Sequence, residues 1–170
     1  MTGSSDSNIE IWNRLANDML SHDLYEEAVY YFDKILAVDS VNHRAVDGKA
    51  NALDILGKVE EALECISNYL ECNSSDVYIW ILKGDLLDVH YRDYKGAVAC
   101  YNRALKINPK NEEAWVKKAY ALKEVGKYAD AAACFRTALQ MFNENVDLRS
   151  LEYYWELSEE YYNCCDLLSG

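Results

Sequence analysis

The chain has 170 residues, of which 51% are hydrophobic and 27% charged, a composition typical of a folded globular protein. Its formal net charge is −12, because 29 Asp and Glu residues outnumber 17 Lys and Arg residues, and this balance argues against a nucleic-acid partner. The sequence contains only seven Gly and one Pro, and such a shortage of turn-forming residues is typical of a helical protein.

The first eight residues are polar and lack the basic and apolar segments of a secretory signal. We interpret residues 1–8 as a disordered tail. No apolar run approaches the ~18–20 residues that a membrane span requires. Without an export signal, the six Cys residues are expected to be reduced thiols, and the predicted location is cytoplasmic, with no membrane partner.

The chain contains an internal repeat. One column of the repeat is always Ala, at spacings of 34, 35 and 34 residues: Ala28, Ala62, Ala97 and Ala131. A large apolar residue follows four positions later in each repeat: Phe32, Ile66, Tyr101 and Phe135. Upstream, each repeat begins with a bulky residue and places a small one four positions later: Trp12 and Ala16, Val46 and Ala50, Trp80 and Gly84, Trp115 and Ala119. Spacings of three and four residues predict helices with one apolar face.

These columns resemble the tetratricopeptide repeat, whose pattern is W-x2-L-G-x2-Y, then A-x3-F, then P. Four repeats are predicted, at residues 9–42, 43–76, 77–111 and 112–145. The main departures are three Lys residues where the family prefers Leu: Lys49, Lys83 and Lys118. The resemblance implies an all-α fold, an α-solenoid of antiparallel helix pairs wound into a right-handed superhelix.

Turn and capping residues fall at the expected helix ends. Gly57 and Gly126 are predicted to adopt the left-handed conformation after a first helix. Asn42, Ser75 and Asn111 are predicted N-caps. The third repeat is one residue longer than the others in the turn that contains residues 90–93, and we interpret the extra residue as a tolerated loop insertion.

Residues 146–170 break the repeat and are predicted to form a C-terminal capping helix from Asp147 to about Leu168. Its apolar side is predicted to carry Leu148, Leu151, Trp155, Tyr162 and Cys165. The helix is richer in aromatic residues than a cap requires, which leaves a second role in self-association or ligand contact open.

No residue pattern indicates catalysis or metal binding. The recurring thiols Cys65, Cys100 and Cys134 lie at one point of successive second helices, ~8–10 Å apart, which is too far for disulfides. We therefore interpret them as small apolar core residues. None of the three His residues has the i, i+4 partner of a helical metal site. We predict no catalytic, cofactor or metal site, and hence a protein that is not an enzyme.

The resemblance implies a non-catalytic protein-interaction module, a scaffold or adaptor. Its concave groove, lined by the first helix of each repeat, would bind a peptide or a partner helix. Two alternatives stay open: a self-associating structural or oligomerisation unit, and a regulatory subunit of another enzyme.

One branch of the family binds the C-terminal carboxylates of heat-shock chaperones through Lys, Asn and Arg side chains of three successive repeats. Carried over to repeats one to three, that pattern falls on Asn13, Asn17, Gly48, Tyr78 and Leu82. Carried over to repeats two to four, it falls on Asp47, Asn51, Leu82, Glu113 and Lys117. The first set has no cation and the second has one cation against two acids, so we predict a neutral-to-basic partner.

The predicted partner-binding residues of the groove are Asn13, Asn17, Asp47, Asn51, Asp54, Tyr78, Ile81, Leu82, Asp85, Asp88, Lys117 and Tyr120. An apolar stripe on the partner is expected to meet Ile55, Ile81, Leu82 and Val89.

Overall fold

A computed structural model describes residues 3–143 and 151–168, and within these ranges the chain forms nine helices and no strand. The helices are α1 (Gly3–Ser21), α2 (Tyr25–Val38), α3 (His43–Ile55), α4 (Val59–Cys72), α5 (Val77–Tyr91), α6 (Tyr94–Ile107), α7 (Glu112–Glu124), α8 (Tyr128–Asn143) and α9 (Leu151–Asp166). None of the helices in the described ranges has the length and apolar character needed to cross a bilayer.

The chain divides into an N-terminal unit, residues 1–75, and a C-terminal unit, residues 76–170. The N-terminal unit contains α1 to α4, and the C-terminal unit contains α5 to α9. Within each unit successive helices are in contact, and the two helices of each predicted repeat are joined by only two or three residues. Such short connections make neighbouring helices antiparallel. The prediction of helix pairs is therefore confirmed.

The repeat columns form the cores of both units. The four Ala residues of the repeat column are completely buried: Ala28, Ala62, Ala97 and Ala131. In the N-terminal unit Ala16, Ala28, Phe32, Ile35 and Ala45 form one apolar cluster. Ala at these positions leaves no side chain beyond Cβ, so the paired helices approach closely and the large residue of the next column fills the remaining space.

Each first helix of a repeat is followed by a residue with positive φ. Gly57 (φ 71°) and Gly126 (φ 73°) adopt this conformation, which confirms their predicted role. The other two repeats use Asp23 (φ 59°) and Arg92 (φ 49°), which the sequence did not reveal because neither is Gly. Helix α5 has 15 residues where α3 and α7 have 13, so the extra residue of the third repeat lengthens the helix rather than a loop.

The second predicted N-cap was wrong by one residue. Asn42 and Asn111 accept hydrogen bonds from the backbone N–H of Ala45 and Ala114, at 3.1 and 2.7 Å, as predicted. Before α5, however, the cap is Asp76, whose carboxylate accepts from Ile79 N–H at 3.2 Å, and not Ser75. A carboxylate is also favoured over a hydroxyl by the positive end of the helix dipole.

The helix α1 begins at Gly3, which differs from the predicted disordered tail over residues 1–8. The segment contains Ser, Asp and Asn, which are residues favoured near helix N-termini. The first helix of repeat one therefore extends about two turns beyond the start of the repeat pattern at residue 9.

The predicted apolar side of the C-terminal helix was only partly right, because Cys165 alone of the described side chains assigned to it packs against the core cluster of this unit. In α9 the completely buried residues are Leu157 and Cys164, which pack with Phe135 and Ala138 of α8. Trp155 and Tyr162 are instead 69% and 65% exposed. Leu and Cys are smaller than Trp and Tyr, and Leu157 and Cys164 pack closely against the Ala-rich second helix of repeat four. Asp147 and Leu148 lie outside the described residues.

The recurring thiols are not equally buried. Cys100 and Cys134 are buried, while Cys65 is only partly covered. Burial raises the pKa of Cys100 to about 11 and raises the pKa of Cys134, against the opposing charges of Lys83 and Lys118. These thiols therefore stay protonated at neutral pH, consistent with a role as small apolar core residues.

Gly84 provides the test of how closely the paired helices approach. A Cβ added there would lie 2.5 Å from Cε1 of Tyr101, whose ring is buried and whose hydroxyl is hydrogen-bonded to Asp85. We expect Gly84→Ala to lower the free energy of unfolding, measured by urea denaturation, by about 1–3 kcal/mol.

The matched variant adds Tyr101→Ile, which reproduces the Ala50 and Ile66 pair of repeat two. The double variant should lose less than the sum of the two single variants, because the ring that clashes is gone. Simple additivity of the two losses would contradict the steric explanation.

Candidate functional site

In the N-terminal unit four of the predicted groove residues line one cavity. Asn13 and Asn17 of α1 face Asp47 and Asn51 of α3 across a volume of about 440 Å³. Asp54, the fifth predicted residue of this unit, does not line it. The spacing of four residues on each helix explains the convergence, because i and i+4 lie on one helix face.

The side chains of this cavity divide into a paired set and an unpaired set. Asn51 donates two hydrogen bonds from Nδ2, one to the backbone carbonyl oxygen of Asp47 at 2.9 Å and one to Oδ1 of the Asp47 side chain at 2.6 Å. The amides of Asn13 and Asn17, by contrast, make no side-chain hydrogen bond to any residue that the structure describes. Each of these amides offers both a donor and an acceptor, which is the combination that a peptide main chain needs.

The cavity also contains residues that sequence reasoning did not assign to it. They are Leu20, Phe32, His43, Arg44 and Gly48. Of these, only Gly48 had been indicated, by the carried-over chaperone pattern. Gly48 is required there because a Cβ would overlap the ring of Phe32. Arg44 balances the charge of Asp47, so the formal charge of this cavity is zero when His43 is neutral.

In the C-terminal unit Asp85 is fixed by two hydrogen bonds. Tyr101 donates from its hydroxyl to Oδ1 at 2.9 Å, and Lys117 donates from Nζ to Oδ2 at 3.0 Å. Nζ of Lys117 also lies 3.6 Å from a carboxylate oxygen of Glu113. The only cation that the carried-over chaperone pattern supplies is therefore already shared between two carboxylates of its own chain.

Asp88, one turn beyond Asp85 on α5, is the carboxylate that has no such partner. Among the described residues, nothing hydrogen-bonds to its carboxylate or pairs with it. Burial raises the pKa of Asp88, the neighbouring carboxylates Asp85 and Glu124 raise it further, and Lys117 lowers it. This part of the first-helix surface therefore carries an excess of negative charge beside Lys117.

The predicted apolar contacts are only partly available. Ile81 was wrongly assigned to the surface: it is 3% exposed and belongs to the core with Ala97 and Tyr101. Leu82 is half-buried. Of the four predicted apolar contact residues, the exposed ones are Ile55, in the N-terminal unit, and Val89, in the C-terminal unit. Because α5 is apolar on most of its circumference, the periodicity of the sequence did not distinguish its inner side from its core side.

The two predicted Tyr residues are exposed on the first helices of repeats three and four. Tyr78 is 47% and Tyr120 38% exposed. The ring of Tyr120 packs edge-to-face on Phe135 with centroids 5.1 Å apart, which fixes its position. Burial raises the pKa of Tyr120, and the carboxylates of Glu160 and Glu156 raise it further, so its hydroxyl stays a neutral donor.

In the described part of the chain, no group of three or more His, Cys, Asp or Glu side chains is arranged to hold a metal ion. The arrangement instead offers amides, one uncompensated carboxylate and two aromatic rings. These groups suit recognition of another molecule by hydrogen bonds, charge and contact.

Comparison with known sequences identifies the repeats. Family models described as TPR repeat and tetratricopeptide repeat match residues 93–126 and 112–145. TPR repeat-containing protein MJ1428 of Methanocaldococcus jannaschii is 26% identical over 80% of the chain, and MJ0940 of the same organism is 32% identical over 56%. The chain spans only 24% and 30% of the length of these two relatives.

Solved structures share the fold at low sequence identity. A MamA structure superposes with a TM-score of 0.72 at 12% identity, over 96% of this chain and 90% of that chain. The first TPR of Spaghetti, bound to an HSP90 peptide, superposes with a TM-score of 0.62 at 16% identity, over 74% of this chain and 91% of that chain. The TPR2B domain of yeast Sti1, in complex with pHsp70, superposes with a TM-score of 0.62 at 17% identity, over 72% of this chain and 95% of that chain.

The helix pairs, the repeat columns and these comparisons define an all-α helical repeat protein of the solenoid class. Residues 93–145 match models of the tetratricopeptide repeat family, and the two archaeal relatives are TPR repeat-containing proteins.

Asp88 provides a pH-dependent test of the charge distribution. Because its pKa in the folded state lies above the unfolded value of 3.8, the folded protein binds more protons and loses stability as pH rises through that interval. We expect Asp88→Asn to raise the free energy of unfolding at neutral pH by less than about 1 kcal/mol, because solvent screens partly exposed charges. The gain should vanish below pH 3.8.

The measurement is urea denaturation at the two pH values. The control is Glu71→Gln, which removes the same charge from an exposed position on α4. An equal gain in the control would show that only net charge matters, and no gain in Asp88→Asn would show that Asp88 is not under repulsion.

Proposed function

We propose that this protein is a non-catalytic protein-interaction module that binds a neutral-to-basic peptide or helix on the first-helix surfaces of its repeats. The observation that carries the proposal is the pair of unpaired amides of Asn13 and Asn17 beside a cavity of about 440 Å³. Amides held on a rigid helix, with donor and acceptor both available, are suited to hydrogen-bond an extended main chain.

The structural neighbours support the same class of function. The first TPR of Spaghetti and the TPR2B domain of Sti1 were solved with chaperone-derived ligands. In our proposal this chain shares their use of the fold as a peptide receptor but not their ligand. We also propose a scaffold or adaptor role in the cytoplasm, without nucleic acid or membrane partners.

The charge preference rests on Lys117 and Asp88. Lys117 is engaged by Asp85 at 3.0 Å, so an incoming carboxylate would have to displace a partner that is already in place. Asp88 has no cation of its own, and a Lys or Arg side chain from the partner would remove the repulsion it experiences from Asp85 and Glu124. The exposed rings of Tyr78 and Tyr120 offer surfaces to the apolar side chains of such a segment.

Fluorescence anisotropy tests this preference with two labelled peptides of equal length, one basic and amphipathic and one ending in acidic residues. We expect the basic peptide to bind more tightly. We also expect Asp88→Asn to weaken its binding about 1.5-fold to fivefold, the range of one partly exposed charge pair. Asp88→Asn is preferable to a change at Asp85, because losing Asp85 also removes the partner of the buried Tyr101.

Glu71→Gln serves again as the charge-matched control and should leave binding unchanged. Tighter binding of the acidic peptide that is lost in Lys117→Gln would overturn the charge preference of these surfaces, and binding of neither peptide would overturn the receptor function on them.

Self-association is a second candidate function, favoured by the exposed aromatic side of α9. Trp155 and Tyr162 lie seven residues apart, about two helical turns, and each is more than half exposed. Large exposed aromatic residues are enriched where proteins contact one another.

Static light scattering against concentration tests this second candidate. If the chain self-associates through α9, its apparent mass should rise with concentration. Replacing Trp155 and Tyr162 by Gln should abolish the rise while the helical circular-dichroism signal is retained. A mass that does not depend on concentration, or one that the replacements leave unchanged, would exclude α9 as the contact.

A further inference from the structure

The C-terminal unit contains a cavity of its own, and its lining is positively charged, whereas the surface around Asp85 and Asp88 is negatively charged. It has a volume of about 470 Å³ and lies between α6, α7 and α8. Three cationic side chains line it, Lys118, Lys127 and Arg136, against the single carboxylate of Asp130. The formal charge of the lining is therefore 3 − 1 = +2 in a chain whose net charge is −12. We call this cavity the basic cavity.

None of the three cations forms an ion pair with a side chain that the structure describes. Lys118 instead holds its ammonium 5.0 Å from the centroid of the Trp115 ring, a cation–π contact that fixes the side chain without neutralising it. The indole N–H of Trp115 donates to the carbonyl oxygen of Pro109 at 2.9 Å, so the ring itself is held in place. The cavity thus presents positive charge on a fixed wall.

The N-terminal unit contains the matching cavity two repeats earlier, which serves as an internal reference. Its volume is about 320 Å³, and its Lys49 corresponds to Lys118 because 118 − 49 and the spacing of the repeat Ala residues, 131 − 62, are both 69. There Lys49 is paired with Asp33, its Nζ lying 2.6 Å from a carboxylate oxygen. The position that corresponds to Asp33 in the C-terminal unit is Asn102.

Two further positions that line the basic cavity differ in charge from their counterparts in the N-terminal unit, although those counterparts do not line the N-terminal cavity. Glu64 of α4 corresponds to Ala133 of α8, and Ser67 corresponds to Arg136. Together with Asn102 in place of Asp33, each difference removes a negative charge or adds a positive one. The same fold position therefore holds an ion-paired lysine in one unit and a lysine without an ion pair in the other.

We propose that the basic cavity binds an acidic segment of a protein partner, with one Glu or Asp carboxylate between Lys118 and Arg136. Both cations would then form charge-assisted hydrogen bonds that the chain itself does not supply. Asn102 lines the same cavity and can donate a hydrogen bond from its amide to the carboxylate of the partner. An Asp at this position, as at the corresponding position 33, would repel that carboxylate.

The remainder of the lining indicates a peptide rather than a small inorganic anion. Val98, Leu122 and the ring of Trp115 form apolar wall, which suits a side chain next to the acidic residue. The cavity is also far larger than a phosphate ion needs. A polyanion such as nucleic acid would meet the repulsion of a chain with net charge −12, whereas a short acidic segment meets much less. The lining of the basic cavity includes none of the residues on which the proposed function rests, so the two proposals are tested by different variants.

The test uses a short fluorescein-labelled peptide with adjacent Glu residues beside one Leu, and its analogue with Gln in place of Glu. Fluorescence anisotropy should show binding of the Glu peptide and at least about tenfold weaker binding of the Gln analogue. Asn102→Asp should weaken binding of the Glu peptide by at least about fivefold, because it installs beside Lys118 the counterion that Lys49 already has. Asn102 is exposed on α6 and Asp has nearly its shape, so the fold should be kept.

Three further variants give the controls. Arg136→Gln should weaken binding similarly, and Asp130→Asn should strengthen it. Lys58→Gln, an exposed position in the N-terminal unit that loses the same charge as Arg136→Gln, should leave binding unchanged.

Four outcomes would overturn the proposal. They are no binding of the Glu peptide, equal losses in Arg136→Gln and Lys58→Gln, competition by inorganic phosphate at the concentration of the peptide, and a concentration-dependent dimer that Asn102→Asp abolishes. The third would indicate a small-anion site and the fourth a contact with a second copy of the chain.

Discussion

The constraint on which the rest of the structure depends is that no helix of a repeat can bury its apolar face alone. Each Ala of the repeat column is completely buried because the neighbouring helix lies directly against it, and the large residue four positions later fills the space beside it. At Gly84 the ring of Tyr101 occupies the volume of a missing Cβ. Close approach of paired helices therefore decides which polar groups meet on the surfaces outside the core.

Tyr101 connects the core to the first-helix surface. Its ring is buried, and its hydroxyl emerges to hydrogen-bond Asp85, which in turn holds Lys117 of the next repeat. A buried aromatic residue thus fixes a carboxylate, and the carboxylate occupies the cation that an acidic ligand would need. The same chain of contacts leaves Asp88 uncompensated, so the charge of this surface follows from how the core is filled.

The two units show how one fold position acquires opposite chemistry. Lys49 and Lys118 occupy the same place in the repeat and are anchored in different ways, the first by Asp33 and the second by the face of Trp115. Anchoring by a carboxylate cancels the charge, and anchoring by an aromatic ring keeps it. Substitution at a few neighbouring positions is enough to convert a structural ion pair into an open cationic cavity while the helices stay unchanged.

The sequence by itself determined the repeat, the helix pairs, the buried columns, the left-handed Gly57 and Gly126 and the convergence of Asn13 with Asn17, because all of these follow from spacing along a helix. It did not determine the side of α9 that is buried or the burial of Ile81 in α5, because each of these helices has apolar residues on more than one side. It also did not determine the left-handed conformation of Asp23 and Arg92, because residues other than Gly can end a helix. Only the tertiary structure decided which charges are paired. Lys117 and Asp85 are 32 residues apart, and such a contact depends on how two helices pack, a property that no local pattern encodes.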